Sequence, residues 1–394
     1  MLSKNTSLTI VSKFLILAIN FVLVVFSTRI WGSEGRGEIA LVIANISIIT
    51  IFSNIFCGST VAFHASSKSR ELLLSLAMTG AVLVSLAGAL VFSVLSRQGY
   101  FLPLFLISLL ISLNTAIATF WLGKNKINKY NLLNLFGPLL ILISLFILYY
   151  FFNEIKIITY FRAYYLGYGI LLVTGIIMIA AEEPFRKPFP GFLSTKSIIS
   201  YGVRNEFNYL LQFLNYRLSY YFIASMLGLK QLGIFSIAVA ITEALWIISR
   251  SMSAVHFSNV INSDDQLKNR NEAISFAKNS LIISTLILFL ASVVPENIYQ
   301  IIFGDEFSGT KKLIIYMSPG IIAIAVSNLY GHYFAGTGKL NILRNKSLIG
   351  LLTSLILLPV LVKRYQLTGA CISLNASYIL SSLYLWNRFR KEKQ

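Results

Sequence analysis

The chain has 394 residues, of which 56% are hydrophobic and only 12% charged. A soluble domain runs near a quarter charged, so a water-soluble fold of this length has no means of hiding so much apolar side chain. Lipid needs no such hiding, and the composition is that of an integral membrane protein made of helices. The net charge of +18 would suggest nucleic acid in a soluble protein. Here the basic residues sit in short loops between apolar runs, which excludes that reading.

Twelve spans follow in chain order: Leu8–Ser27, Ile39–Ala62, Leu72–Leu95, Phe101–Leu122, Leu132–Phe152, Ile157–Ala181, Ile198–Leu227, Gly233–Ile248, Ile274–Val294, Leu313–Phe334, Leu348–Val362 and Leu367–Trp386. Most have the roughly 20 residues that a bilayer core requires. Leu348–Val362 is short, and Ile274–Val294 tolerates Lys278 if its ammonium snorkels outward. The first run lacks a small-residue cleavage site and reads as a retained helix. With the N-terminus inside, cytoplasmic segments carry about twice the Lys and Arg of external ones, so both termini are expected in the cytoplasm. Lys363 and Arg364 fall outside, against the trend.

The stretch Ala181–Ser197, with Pro184, Pro188 and Pro190, divides the spans six and six. The expected organisation is a first lobe at 1–181, a cytoplasmic linker at 182–197 and a second lobe at 198–394. An internal repeat supports the division. Gly32 and Gly37 join spans one and two, and Gly228 and Gly233 join spans seven and eight with the same spacing. Pro103 and Pro319, Gly123-Lys124 and Gly338-Lys339, and Pro138 and Pro359 recur in the same order. Halves with an even number of spans are parallel repeats, related by an axis along the membrane normal.

Span seven holds the richest polar pattern. Arg204, Asn208, Gln212, Asn215 and Ser219 lie on one helical stripe. Such a row is costly in lipid and is expected to line a wet cavity, or else to bond neighbouring helices. Arg217 and Glu206 point to the other side, and Glu243 in span eight is a third charge. Arg217 with Glu243 reads either as a structural ion pair or as a coupling element. Span one carries a thinner stripe of Thr9, Lys13, Asn20 and Ser27 in the equivalent place. The two stripes together would line a basic central cleft, although Lys13 also suits a snorkelling anchor. Asn54, Thr115 and Asn328 are further candidate lining residues, with packing as the plainer role.

Other chemistry is poorly represented. Cys57 and Cys371 lie singly in apolar runs, and the three histidines are scattered, so no metal site is expected. Gly336-Thr337-Gly338-Lys339 lacks the spacing and the Ser or Thr of a phosphate loop. Glu34 and Glu38 alternate with Arg36 and do not form a pair of catalytic acids.

Ser27-Thr28-Arg29-Ile30-Trp31-Gly32 with Gly37-Glu38-Ile39-Ala40 resembles the first helix-to-helix turn of the polysaccharide transport family. These are the Wzx-type flippases of the multidrug/oligosaccharidyl-lipid/polysaccharide (MOP) exporter superfamily. Asn215-Tyr216-Arg217-Leu218-Ser219, Gly228 and Gly233-Ile234-Phe235 resemble its seventh-to-eighth turn, and Glu243 falls where members often carry an acid. Ser219 departs from the aspartate common there. The resemblance implies an all-α, MATE-like membrane fold and no enzymatic activity. It implies movement of an undecaprenyl-diphosphate-linked oligosaccharide from the inner to the outer leaflet of the bacterial cytoplasmic membrane, by alternating access. Lys13, Asn20, Arg204, Asn208, Gln212, Asn215 and Ser219 would bind this substrate, and Arg217 and Glu243 would serve coupling or structure. Coupling to H+ or Na+ is left open, no other cofactor is expected, and the chain would act as a monomer in contact with membrane lipids and polysaccharide-assembly proteins. A drug or ion exporter of the same superfamily and a membrane polysaccharide polymerase or glycosyltransferase are the competing readings. A peptidoglycan-precursor flippase would usually carry two extra helices.

Overall fold

The computed structural model describes residues 4–66, 68–96, 99–153, 155–182, 195–244, 246, 249, 251–253, 256, 260 and 265–392. Most of the expected linker lies outside them. The described residues are nearly all helical and include no strand. The helices are α1 (Lys4–Cys57), α2 (Ser59–His64), α3 (Arg70–Ser96), α4 (Phe101–Gly123), α5 (Ile127–Tyr150) and α6 (Ile158–Glu182). They continue as α7 (Thr195–Leu227), α8 (Leu229–Ala244), α9 (Gln266–Val293), α10 (Glu296–Phe303), α11 (Thr310–Gly336) and α12 (Leu340–Lys391). Eight segments among the described residues are long and apolar enough to cross a membrane, and two of them, Val11–His64 and Leu340–Lys391, have more than 50 residues. Each of those two is long enough to cross twice. The chain is a multi-pass, all-α membrane protein.

The loops expected inside the two long elements are nearly absent. α1 turns at Gly32 alone (φ 63°), and the helix resumes at Ser33. α12 turns at Gln366 (φ 51°), and its first part begins at Leu340, so the short span expected from Leu348 is part of a longer helix. α10, an eight-residue helix between α9 and α11, has no counterpart among the expected spans, being too short to cross. Tyr299 and Phe303 anchor its buried face.

Cα packing separates two compact units. One contains the chain up to Ile30 and Val42–Leu210; the other contains Trp31–Leu41 and the chain from Leu211 on. The first packs around α4, which touches α2, α3, α5 and α6. The second packs around α11, which touches α8, α9, α10 and α12.

The turns after the two hub helices are built alike. After α4, Asn125 (φ 59°) donates to the Leu122 carbonyl, and Lys126 N–H reaches the Trp121 carbonyl at 2.8 Å. After α11, Gly338 (φ 75°) donates to the Ala335 carbonyl, and Lys339 reaches Phe334 at 2.8 Å. Both are the left-handed cap that satisfies the last carbonyls of a helix. The repeat register is therefore Gly123 with Gly336 and Lys126 with Lys339. The expected match of Gly123-Lys124 to Gly338-Lys339 is off by two residues, because glycine occupies the left-handed position in one turn and asparagine in the other. A lysine near the turn after each hub helix then bonds a glutamate at the far end of its unit, although the two lysines stand three residues apart in that register. Lys129 bonds Glu182 at the end of α6, and Lys339 bonds Glu392 after α12, each across 53 residues.

Candidate functional site

α7 carries five of the seven candidate substrate-binding residues, and the division between the units falls within it, between Leu210 and Leu211. Its first half packs in the first unit. Gly202 comes so near α1 that a Cβ there would stand 2.2 Å from the Ile55 carbonyl oxygen and 2.5 Å from Thr60 Oγ1. One turn later Glu206 is buried. Ser59 Oγ donates to its Oε1 at 3.3 Å and Asn205 Nδ2 at 3.2 Å, while Asn205 Nδ2 also reaches Ser59 Oγ at 2.7 Å. Ser59 is available because α1 ends at Cys57 and the chain restarts as α2 after Gly58.

The stripe expected along α7 changes character along its length. Arg204 is exposed, and no hydrogen bond or ion pair holds its guanidinium among the described residues. Asn208 is half-buried; its Nδ2 reaches the Arg204 carbonyl at 3.4 Å, and its Oδ1 has no partner. Gln212 donates to the Tyr216 hydroxyl at 2.9 Å. Asn215 and Ser219 are buried. Asn215 Oδ1 accepts from Ser377 Oγ at 2.6 Å, and Ser377 also donates to the Gly350 carbonyl. A Cβ on Gly350 would stand 2.5 Å from Asn215 Nδ2. Small residues on α12 thus let Asn215 seat between helices at the buried end of the stripe.

On the opposite side of α7, Arg217 and Glu243 form a two-point ion pair, with Nη1–Oε1 at 2.5 Å and Nη2–Oε2 at 2.7 Å. The side chains keep 23% and 21% exposure. The guanidinium also lies 5.1 Å from the Tyr220 ring centre. Tyr216, Trp246 and Tyr378 form an aromatic cluster nearby, with centroids 5.2–6.0 Å apart.

The span-one candidates sit in the first unit. Lys13 and Asn20 are exposed and make no described hydrogen bond to Arg204 or Asn208. Thr9 accepts from Asn131 on α5 at 2.9 Å. Asn54 is half-buried with its Oδ1 unpartnered, Thr115 bonds back to the Ile111 carbonyl at 2.8 Å, and Asn328 is half-buried.

Two polar contacts escaped the sequence reading. In the second unit Glu306 accepts from both the backbone N–H and Oγ of Ser33, each at 2.7 Å. It thereby caps the helix that restarts after Gly32. Asn375 on α12 spans a rung of α11: its Nδ2 donates to the Tyr316 carbonyl at 2.6 Å, and its Oδ1 accepts from Gly320 N–H at 2.9 Å. Neither residue has a local signal, since each partner lies more than 50 positions away. The paired lysines and glutamates could have been found from their equal separations.

No protein-family model and no curated protein matches the chain. Solved structures do. The chain is similar to the lipid II flippase MurJ in an inward closed conformation, with TM-score 0.78 and 14% identity over 98% of this chain and 87% of that one. An outward-facing multidrug resistance MATE family transporter of the MOP superfamily matches with TM-score 0.69 and 13% identity, over 98% and 95%. A eukaryotic MATE transporter matches with TM-score 0.68 and 12% identity, over 99% and 94%. The chain shares its fold with these structures.

Proposed function

We propose that the chain is a membrane transporter of the MOP type, and specifically a flippase. It carries an oligosaccharide on undecaprenyl diphosphate from the inner to the outer leaflet of the bacterial cytoplasmic membrane by alternating access, with both termini cytoplasmic. The observation that carries the reading is the likeness to a lipid flippase across nearly the whole chain. The free cations on the first unit agree with an anionic headgroup. Lys13 and Arg204 are exposed, and neither is neutralised by a described carboxylate. A guanidinium matches phosphate oxygens geometrically, and the amides of Asn20 and Asn208 suit sugar hydroxyls. Gln212 could add a further amide, whereas Asn215 and Ser219 would support the site from the packed side.

The test is complementation of a deletion strain. Wild-type protein should restore surface polysaccharide. Arg204→Ala should fail at least about tenfold, the loss of one charged contact, with unchanged membrane levels of the protein. The second reading, a drug or ion exporter of the same superfamily, draws on the likeness to multidrug resistance transporters. A deletion that leaves surface polysaccharide intact and sensitises cells to cationic drugs would favour it.

A further inference from the structure

Phe63 on α2 and Tyr201 on α7 lie in the same unit and stack, with ring centres 4.5 Å apart and planes 19° from parallel. His64 meets Phe63 edge-on at 5.0 Å. The pair stays open, since Phe63 is 60% exposed and Tyr201 38%. The backbone beneath it is fixed. Ser59, one turn before Phe63, donates to Glu206 and accepts from Asn205. Gly202, beside Tyr201, passes so close to α2 that a Cβ there would stand 2.5 Å from Thr60 Oγ1. These contacts hold the two stretches in register and leave much of both rings uncovered.

Two rings held this firmly and left this exposed add little packing. Belt residues at a bilayer surface have a polar end that reaches the headgroups. Phenylalanine has none, and Phe63 is the more exposed of the two. The neighbours on α7 are polar. Tyr201, Arg204 and Asn208 follow at spacings of three and four, which puts them on one face. Arg204 is exposed, and Asn208 Oδ1 has no hydrogen-bond partner. In the proposed orientation α7 starts at the cytoplasmic face. The rings then stand about 4.5 Å nearer the cytoplasm than Arg204, at a rise of about 1.5 Å per residue. A glycan on a lipid diphosphate lies on that same side of its phosphates before it crosses.

We propose that Phe63 and Tyr201 form a platform on which a pyranose ring of the cargo's glycan stacks, while Arg204 holds the diphosphate. The face of an aromatic ring carries negative charge. The C–H groups on one side of a pyranose are apolar and weakly positive, so the sugar lies flat on the ring. Its hydroxyls stay at the rim, within reach of an amide such as that of Asn208. Holding the rings in place beforehand spares the ordering cost of binding. The inference rests on the flippase reading and adds to it a subsite for the sugar, separate from the charged contact.

Full-length protein in nanodiscs of uncharged phospholipid is titrated with two lipids, and binding is read by native mass spectrometry. One lipid is undecaprenyl diphosphate, and the other is undecaprenyl diphosphate carrying N-acetylglucosamine. Wild type should bind the glycosylated lipid more tightly. Phe63→Leu and Tyr201→Leu keep apolar bulk and remove the ring face. Each should weaken binding of the glycosylated lipid by about three- to tenfold, the range that aromatic contacts span. The sugarless lipid should bind as before, which also shows that the variant is folded. Tyr201→Phe should keep the wild-type preference, and Arg204→Ala should weaken both lipids alike. A wild type with no preference for the sugar overturns the platform, as do leucine variants that keep that preference. Folded leucine variants that lose both lipids equally overturn it too, because rings that only anchor the protein in the bilayer would act in that way. An Arg204→Ala protein that binds both lipids normally strikes the charged contact and leaves the platform standing. A wild type that binds neither lipid removes the flippase reading and the platform with it.

Discussion

Arg217 and Arg204 lie on one helix and differ in what surrounds them. Arg217 is engaged at two points by Glu243 and stacks over Tyr220, while Arg204 is exposed. Removing one partner of a buried pair costs about 3–5 kcal/mol, because the other charge is stranded. Here about a fifth of each side chain is exposed, so Arg217→Ala should cost roughly 2–3 kcal/mol, the low end of that range or below. The measure is the amount of folded protein recovered from membranes, and Arg217→Ala combined with Glu243→Gln should restore much of it. Arg204→Ala should change stability by no more than about 0.5 kcal/mol, as exposed substitutions do, so any loss of function there would be a loss of contact. The charges themselves were legible in the sequence, since an arginine or glutamate inside an apolar run stands out. Their partners were less so. Helical spacing separates the two sides of α7 but does not say which side meets another helix, and Asn215 sits on the polar stripe yet bonds Ser377.

At the scale of elements, the glycines of the two similar turns divide the work in the same way. Gly32 and Gly228 have positive φ, 63° and 89°, and stop one helix so that the next can start at once. Gly37 and Gly233 instead let two helices cross with their backbones nearly touching. A Cβ on Gly37 would stand 1.9 Å from the Leu229 carbonyl oxygen, and one on Gly233 would stand 1.8 Å from that of Ser33. Backbone cannot rotate aside as a side chain can, so Gly37→Ala and Gly233→Ala should each destabilise by about 1–3 kcal/mol or more, as overpacking does. Alanine at the neighbouring Glu34, which is exposed, should change stability by no more than about 0.5 kcal/mol. The spacing of these glycines was visible in the sequence; that the two turns grip each other was not, because contact between distant segments leaves no periodicity. α11 offers a second test. Pro319 crowds the preceding turn, and Asn375 bonds both groups of the rung that an unbroken helix would close by itself. Asn375→Ala should cost about 0.5–1.5 kcal/mol if the rung stays open, the net value of a hydrogen bond that is only part-buried. Pro319→Ala in the same chain should recover part of this by letting the rung close, and thermal unfolding of the four proteins would measure the coupling.

For the whole molecule, composition and the length of the apolar runs were enough to identify an all-α membrane protein. The even spacing of spans and turns pointed to a repeat, and both units pack around a helix with the same cap. The helices that turn without a loop were not legible, because one residue of positive φ at Gly32 or Gln366 does the work usually given to several. The proposed orientation makes a direct prediction. Cysteines placed by Lys126→Cys and Glu392→Cys, in a chain without Cys57 and Cys371, should stay unlabelled by an impermeant thiol reagent in intact cells. Labelling from outside at either site would reverse the assignment.

The placement of Trp31–Leu41 in the second unit bears on how the protein is made. This segment leaves the ribosome early, but its partners at Leu229, Gly233, Ser236 and Glu306 are encoded roughly 200 residues later or more. At the usual pace of synthesis of about 5–20 residues per second, it waits on the order of 10–40 s before they exist. Throughout that interval the glycine surface of the turn is bare and open to capture by the wrong helix. A holding partner at the insertion machinery is the expected remedy for that wait. Depleting membrane insertion chaperones should lower the yield of this protein more than that of a helical membrane protein whose segments pack only with their neighbours in sequence.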